Sequence, residues 1–115
     1  MAIRAVTKQL VPAAFTLTNM LTFAPSLGHP AGAITMVTVA NTSQYLTQFR
    51  VSMAPNGAAD ATAHYLYYDV ELRGNDTFIA EFVTGLPLQP GDVLRVYSEN
   101  GACAFHVHWT YEEAS

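Results

Sequence analysis

The sequence predicts an all-β protein: a single antiparallel β-sandwich of jelly-roll type, with about seven or eight strands and an extended N-terminal segment. Three observations support this fold class. Glycine and proline recur at short intervals along the chain. The segments between them are rich in Val, Thr, Phe and Tyr and alternate with a period of two. Strands spaced by about ten residues are typical of two-sheet sandwiches.

The chain length of 115 residues fits one domain with a real hydrophobic core. We divide it into residues 1–14, an N-terminal arm or an edge strand, and residues 15–115, the β-sandwich domain. Both alternatives for the first segment stay open at this point. Residues 9–25 are the least regular part, and their threonines favour extended chain over helix, so we expect an arm followed by a strand.

The first half of the sandwich is predicted to contain a hairpin. A strand over Ala33–Val39 ends at the turn residues Asn41, Thr42 and Ser43, and a second strand returns over Tyr45–Met53. Alternation places every second residue of the returning strand on one face. These residues are Tyr45, Thr47, Phe49, Val51 and Met53.

The second half is predicted to contain four strands, over residues 64–72, 77–83, 93–98 and 102–111. In the first of them Leu66, Tyr68, Val70 and Leu72 share a face. Asn100-Gly101 is a hairpin signal between the last two strands. Asp76 and Asp92 each follow a turn residue and are expected to stabilise that turn.

Charge and composition limit the classes of function. Only 12% of the residues are charged, the formal net charge is −4, and Lys8 is the one lysine. Without a basic surface we expect no binding to nucleic acid. Because charged residues, lysine above all, are depleted at protein interfaces, the composition favours an assembly subunit.

Sequence signals for export, membrane insertion and thiol chemistry are missing. No apolar run approaches the roughly 18 residues of a membrane helix, and the N-terminus alternates, unlike a signal peptide. We therefore expect synthesis in the host cytoplasm and no membrane association. Cys103 lies in an apolar run, which predicts a buried and inert thiol. Dispersed glycines and serines match no phosphate-binding or nucleophile motif, so we expect no catalytic residues and no cofactor.

His106 and His108 are the sharpest chemical feature. Residues two apart on a strand point to the same side, so the two imidazoles are candidates for one metal ion. A mononuclear site needs a third ligand, for which His29, His64, Glu71 or Glu81 would have to approach. The cupin pattern fails, because Glu112 and Glu113 are the only acids after the pair. The favoured interpretation is a polar outer or intersubunit surface; metal binding around a threefold axis stays a minor alternative.

Aromatic residues suggest a second possible surface. They are Tyr65, Tyr67, Tyr68, Trp109 and Tyr111. Together they would form a platform for a sugar, or they would serve cross-strand packing or an interface. Packing or an interface is the favoured interpretation.

From Ala33 to Gly101, about two-thirds of the chain, the order of elements resembles small virion proteins of tailed bacteriophages. The residues that carry the resemblance are Val37-Thr38-Val39-Ala40-Asn41-Thr42-Ser43, Phe49-Arg50-Val51, Tyr68-Asp69-Val70, Asn75-Asp76-Thr77 and Leu88-Gln89-Pro90-Gly91-Asp92-Val93-Leu94-Arg95-Val96. The resemblance implies a structural β-sandwich of the head, neck or tail. Capsid cement or decoration proteins are the most natural small representatives, and the resemblance to them implies a homo-oligomer, a trimer or a dimer.

The expected function is therefore that of a capsid cement protein, located on the capsid surface of the virion, that binds and stabilises the shell of the major capsid protein. The alternative is a neck, tail or fibre subunit, with glycan binding as one option, and the third hypothesis is a small metal-dependent jelly-roll enzyme. The predicted protein interface combines the N-terminal segment with the outer side of the last strand. Its residues are Ala2, Ile3, Arg4, Val6, Lys8, Leu10, His106, His108 and Thr110.

Overall fold

The computed structural model describes residues 3–23 and 31–112, and in these ranges the chain forms eight β-strands and two short 3₁₀ turns. The strands are β1 (Ile3–Leu10), β2 (Thr18–Thr22), β3 (Gly32–Asn41), β4 (Thr47–Ala54), β5 (Tyr65–Leu72), β6 (Thr77–Leu88), β7 (Val93–Ser98) and β8 (Cys103–Glu112). The 3₁₀ turns, Pro55–Gly57 and Thr62–His64, lie between β4 and β5. No helix in the described part of the chain is long and apolar enough to span a membrane.

Two four-stranded antiparallel sheets pack face to face. The first sheet has the order β1-β8-β3-β6, and the second has the order β2-β7-β4-β5. Apart from the β4–β5 pair, consecutive strands lie in different sheets, so the chain crosses repeatedly between the layers. Two four-stranded sheets connected in this way form a jelly roll. The predicted fold class is confirmed.

Alternation along the strands builds the core between the sheets. In β8, Phe105 and Val107 are fully buried, and in β3 the buried residues include Val37 and Val39. Phe49 of β4 is the centre of the aromatic packing. Its ring centroid lies 5.1 Å from that of Phe78, 6.2 Å from that of Phe105 and 6.5 Å from that of Tyr67. These edge and tilted contacts join the two sheets.

Both predicted hairpins are wrong. β3 pairs with β6 and β8 in the first sheet, whereas β4 pairs with β5 and β7 in the second. The turn after Asn100-Gly101 likewise connects β7 of the second sheet to β8 of the first. The turn residues are where the sequence predicts them, and Gly101 has the positive φ of 65° that favours glycine. Turn residues predict that the chain reverses direction, but they do not predict whether the next strand pairs in the same sheet or joins the other one.

A bulge in β5 overturns the predicted face of that strand. Asp69 has a φ of 50°, and the register with β4 shifts between Phe49 and Val51. The extra residue exchanges the two faces on the N-terminal side of the bulge. Tyr67 therefore packs on the core beside Val70, while Leu66 and Tyr68 are exposed.

Strand β6 runs five residues further than the predicted 77–83 segment and reaches Leu88. Met36 of β3 pairs with Glu81, but Ile34 pairs with Leu86, so residues 82–85 bulge out of the ladder. Val83 at this bulge is 95% exposed. Since β6 is an edge strand, Pro87 costs no ladder bond to a further strand.

The N-terminal segment is an edge strand. All eight residues of β1 pair with β8, from Ile3 opposite Glu112 to Leu10 opposite Phe105. Of the two alternatives for residues 1–14, the structure has the strand for residues 3–10, and the sandwich thus includes them. β2 follows as the strand expected within residues 9–25.

The turns before β6 and β7 are fixed by aspartates, as the sequence predicts. Asp76 Oδ1 accepts a hydrogen bond from the backbone N–H of Thr77 at 2.8 Å. Asp92 Oδ2 accepts from Gln89 N at 2.9 Å, and its Oδ1 accepts from Asn56 N at 3.0 Å. The second contact also ties the β4–β5 connection to the start of β7.

Candidate protein interface

The outer side of the first sheet forms a surface almost free of charge. Register and alternation place residues from all four strands on it. We call this surface the neutral face; its members are Ala5, Thr7 and Gln9 of β1, Ala104, His106, His108 and Thr110 of β8, Ala33, Met36, Thr38 and Ala40 of β3, and Thr77, Ile79, Glu81 and Pro87 of β6. Ile3 of β1 and Glu112 of β8, which pair with each other, continue this side of the sheet at its end. With Glu81 at the β6 edge, the surface thus carries two carboxylates and no lysine or arginine.

His106 and His108 lie in the middle of the neutral face, on the same side of β8 as predicted. His106 stands between Gln9 of β1 and Thr38 of β3, and His108 stands between Thr7 and Met36. The Thr7 hydroxyl and His108 Nδ1 form a hydrogen bond of 3.1 Å.

Threonine, glutamine and methionine are poor partners for completing a zinc site beside two imidazoles. Across residues 3–23 and 31–112, no three His, Cys, Asp or Glu side chains group closely enough to hold one metal ion. His29, one proposed third ligand, lies outside the described residues.

The predicted interface residues of β1 divide between two sides of the strand. Ile3 is exposed at the end of the neutral side, whereas Arg4, Val6, Lys8 and Leu10 pair with inward-facing residues of β8. Val6 and Leu10 are half-buried, and Leu10 packs on the core. Ala2 lies outside the described residues.

Thr110 is on the neutral face with His106 and His108, opposite Ala5 of β1. Sequence reasoning missed Ala5, Thr7 and Gln9 as its neighbours. Their alternation with Arg4, Val6 and Lys8 was visible, but only the register with β8 shows which set shares the side of the histidines.

The outer side of the second sheet has a different character. Arg50 of β4 lies between two tyrosine rings, with its guanidinium carbon 4.3 Å from the Tyr68 centroid and 4.4 Å from the Tyr97 centroid. Its Nε donates to Asp69 Oδ1 at 2.5 Å, and its Nη2 donates to Asp69 Oδ2 at 3.3 Å. This hydrogen bond raises the pKa of Arg50, so the stack keeps its positive charge. We call Arg50, Tyr68, Tyr97 and Asp69 the arginine stack.

Tyr65 extends the arginine stack. Its ring meets that of Tyr68 edge to face, with centroids 4.9 Å apart, and its hydroxyl donates to Asp60 Oδ2 at 3.1 Å. Burial, together with this hydrogen bond, raises the pKa of Tyr65. The five-residue aromatic platform considered from the sequence does not form, because Tyr67, Trp109 and Tyr111 pack on the core. Tyr97 and Arg50, which do join Tyr65 and Tyr68, were not in that set.

A shallow surface depression of about 210 Å³ lies where β1, β8 and the start of β3 meet. Ile3, residues 31–33 and residues 110–112 line it. Glu112 is the one carboxylate in this lining, and Tyr111 beside it is the other ionisable side chain.

The fold and the two outer surfaces thus define a small jelly-roll protein with one neutral and one polar aromatic face. Comparison of the chain with protein-family models and with curated protein sequences finds no match.

Proposed function

We propose that the protein is a virion structural protein of a tailed bacteriophage, a capsid cement or decoration protein that binds and stabilises the shell of the major capsid protein through the neutral face. The observation that carries the proposal is the composition of this face. It presents mainly alanine, threonine, histidine and methionine over four strands and no lysine or arginine, and its two carboxylates, Glu81 and Glu112, lie at its edge and at its end.

Burying such a face against a partner costs little free energy. No lysine or arginine has to be desolvated, and alanine and threonine lose little side-chain entropy when they become ordered. The centre of a protein interface shows the same depletion of charge.

The neutral face is smaller than a standard stable interface, which suits a contact that is repeated many times over one particle. Four strands spaced by about 4.8 Å and four rows spaced by about 6.8 Å give a footprint of about 500 Å². A standard stable interface buries about 800 Å² on each partner. One copy would therefore bind weakly through this face alone, and avidity across a particle would supply the rest.

The choice of a virion rests on the resemblance of residues 33–101 to small tailed-phage structural proteins. The jelly-roll order of the strands is compatible with it, since this architecture occurs in viral capsid domains. A cement role needs a compact body with one broad adhesive surface.

The test is a decoration assay with purified protein and undecorated, expanded particles of the source phage. Bound copies are counted by quantitative mass spectrometry against the major capsid protein after sedimentation. We expect saturable binding at about one copy per capsid protein, or one per few, which is the ratio of repeated shell contacts.

A matched pair of variants locates the contact. Thr38→Glu places a charge at the centre of the neutral face between His106 and Ile79, and should abolish decoration. Thr22→Glu adds the same charge at an exposed position of β2 in the second sheet, and should leave decoration unchanged. Equal binding of both variants would show that the neutral face is not the contact. Failure of the native protein to bind would reject the cement role.

A neck, tail or fibre subunit is the second candidate, favoured by the exposed tyrosines of the arginine stack. Tyr68 is 56% exposed, and Tyr65 and Asp69 beside it offer an aromatic face with polar groups that suits a sugar ring. Copy number separates the candidates, because such parts are present in far fewer copies than the capsid protein. A count of a few dozen per particle would select this candidate.

A further inference from the structure

The four sheet edges differ in how well they resist pairing with another strand. β6 carries the bulge at residues 82–85 and Pro87; β2 has five residues and a register shift after Asn19; β5 has the positive-φ bulge at Asp69. Bulges, short strands, proline and charged side chains are the devices that protect exposed edges. β1 has no such device in its backbone: its eight residues contain no proline or glycine, its register with β8 is unbroken, and its protection is limited to the charges of Arg4 and Lys8.

The far edge of β1 is also accessible. Within the described residues, β8 is the one strand that pairs with it. Lys8 is exposed although its partner Val107 in β8 is fully buried, so the second sheet does not cover the middle of β1, whereas Leu10 at its end packs on the core. Because no other described strand lies along the far edge, a strand placed there would meet the backbone N–H and C=O groups of β1.

We propose that β1 pairs antiparallel with β1 of a second copy, across a twofold axis at Thr7, to form a homodimer with a continuous eight-stranded sheet. A second copy is the occupant because a regular edge of this kind is self-complementary: each strand supplies the donors and acceptors that the other lacks. Closed twofold dimers are also the commonest assemblies of identical chains.

Charge selects the register. An axis at Val6 would place Arg4 directly opposite Lys8 of the second copy twice, and an axis at Lys8 would oppose the two lysines. An axis at Ala5 would pair only residues 3–7 of the described strand. An axis at Thr7 pairs residues 4–10 and puts Arg4 opposite Leu10 and Lys8 opposite Val6, with no like charges directly opposed. It also brings the two Thr7 side chains together, a favourable cross-strand pair.

This register has a consequence for the neutral face. Ala5, Thr7 and Gln9 pair with Gln9, Thr7 and Ala5 of the second copy, so both neutral faces lie on the same side of the joined sheet. The combined footprint would be about 1,000 Å², which exceeds the roughly 800 Å² of a standard interface. The dimer itself does not depend on the proposed function, since it is measured on the isolated protein.

Cysteine cross-linking tests the register. The chain's one native cysteine, Cys103, is fully buried, so introduced thiols report without background. With the axis at Thr7, the thiols of Thr7→Cys would be opposite each other at about 5 Å between Cβ atoms. Those of Ala5→Cys, or of Gln9→Cys, would be separated by four residues, about 13 Å. Combining Ala5→Cys with Gln9→Cys would again create directly opposed pairs.

We expect the native protein to sediment as a dimer at micromolar concentrations. Oxidation or a short bismaleimide should cross-link Thr7→Cys and the double variant of Ala5→Cys and Gln9→Cys. Neither Ala5→Cys alone nor Gln9→Cys alone should be cross-linked. Near-ultraviolet circular dichroism checks that each variant keeps the native packing. A native monomer throughout that range would overturn the proposal. A native dimer in which Ala5→Cys links as well as Thr7→Cys would overturn the Thr7 register.

Discussion

Replacing Asn41 should destabilise this protein more than its polar character suggests. Asn41 ends β3 and is only 2% exposed. Its amide Nδ2 donates to three carbonyl oxygens, those of Tyr45 at 2.7 Å and of Leu72 and Arg73 at 3.2 Å each. Its Oδ1 accepts from Ser43 N at 3.1 Å, from Ser43 Oγ at 2.9 Å and from Asn100 Nδ2 at 3.2 Å. One side chain thereby joins the turns after β3, β5 and β7.

The expected loss of unfolding free energy follows from the number of hydrogen bonds that the substitution removes. A net contribution of about 1 kcal/mol for each of three or four buried hydrogen bonds gives a loss of about 3–4 kcal/mol for Asn41→Ala. A domain of this length has an unfolding free energy of roughly 6–17 kcal/mol, so the loss is a large fraction of the total. Asn41→Asp keeps the volume but turns an acceptor toward the three carbonyls, and should cost at least as much at neutral pH.

The aspartate variant should also show a distinctive pH dependence. Burial against carbonyl oxygens raises the folded-state pKa of the introduced carboxyl above its unfolded value of about 3.9. The folded state then binds more protons, so the unfolding free energy falls as pH rises from about 4 through the folded pKa. Asn41→Ala should show no such difference from the native protein.

Urea titration at pH 4 and pH 7 measures these effects, with Asn19→Ala as the control. Asn19 is exposed and accepts one hydrogen bond, from Arg95 at 3.0 Å, so its loss should stay within about 0.5 kcal/mol. The reasoning fails if Asn41→Ala costs no more than Asn19→Ala, or if Asn41→Asp is equally destabilised at both pH values relative to native protein.

Three further substitutions test packing, a positive backbone φ and the buried thiol. Gly74→Ala should lower the unfolding free energy by about 2–3 kcal/mol in urea titration, because its Cβ would lie 2.2 Å from the backbone carbon of Gln44. Gly57→Ala, with a φ of +69° but no atom nearer than 3.7 Å, should cost about 1 kcal/mol, and the reverse order would contradict the argument. Burial raises the pKa of Cys103, so the native protein should lose stability as pH rises above the unfolded value of about 8.5, and Cys103→Ala should be less sensitive there. If the unfolding free energies of the native protein and of Cys103→Ala change equally with pH, the titration of Cys103 does not contribute to stability.

Strand β8 could be predicted from the sequence almost in full, whereas β1, although its ladder is equally regular, was left open between an arm and a strand. The period-two pattern of β8 places Phe105 and Val107 inside and His106 and His108 outside, as found. The turn signals also fall where the chain reverses. Both kinds of signal are local, because alternation depends on the pleat and turns depend on φ.

Pairing between strands could not be predicted, because it depends on contacts distant in sequence. Asn100-Gly101 is compatible with a hairpin and equally with a connection between sheets. The Asp69 bulge has no strong sequence signal, since aspartate adopts positive φ only when the surroundings stabilise it. Here Arg50 supplies that stabilisation from the neighbouring strand through its bond to the Asp69 carboxylate. The arginine stack and the exposed position of Tyr68 follow from that one contact.

The distribution of the five cationic residues explains why the two sheets are suited to different contacts. Arg50 and Arg95 are on the second sheet, where Arg50 is stacked and Arg95 donates to Asn19 and to the Ala58 carbonyl. Arg73 lies in a turn, and Arg4 and Lys8 are on the inner side of β1. None lies on the neutral face. A monomer exposed to water on all sides has no physical reason to keep one whole sheet face free of lysine and arginine. A subunit that buries that face has one, because each cation there would have to be desolvated in every contact it makes.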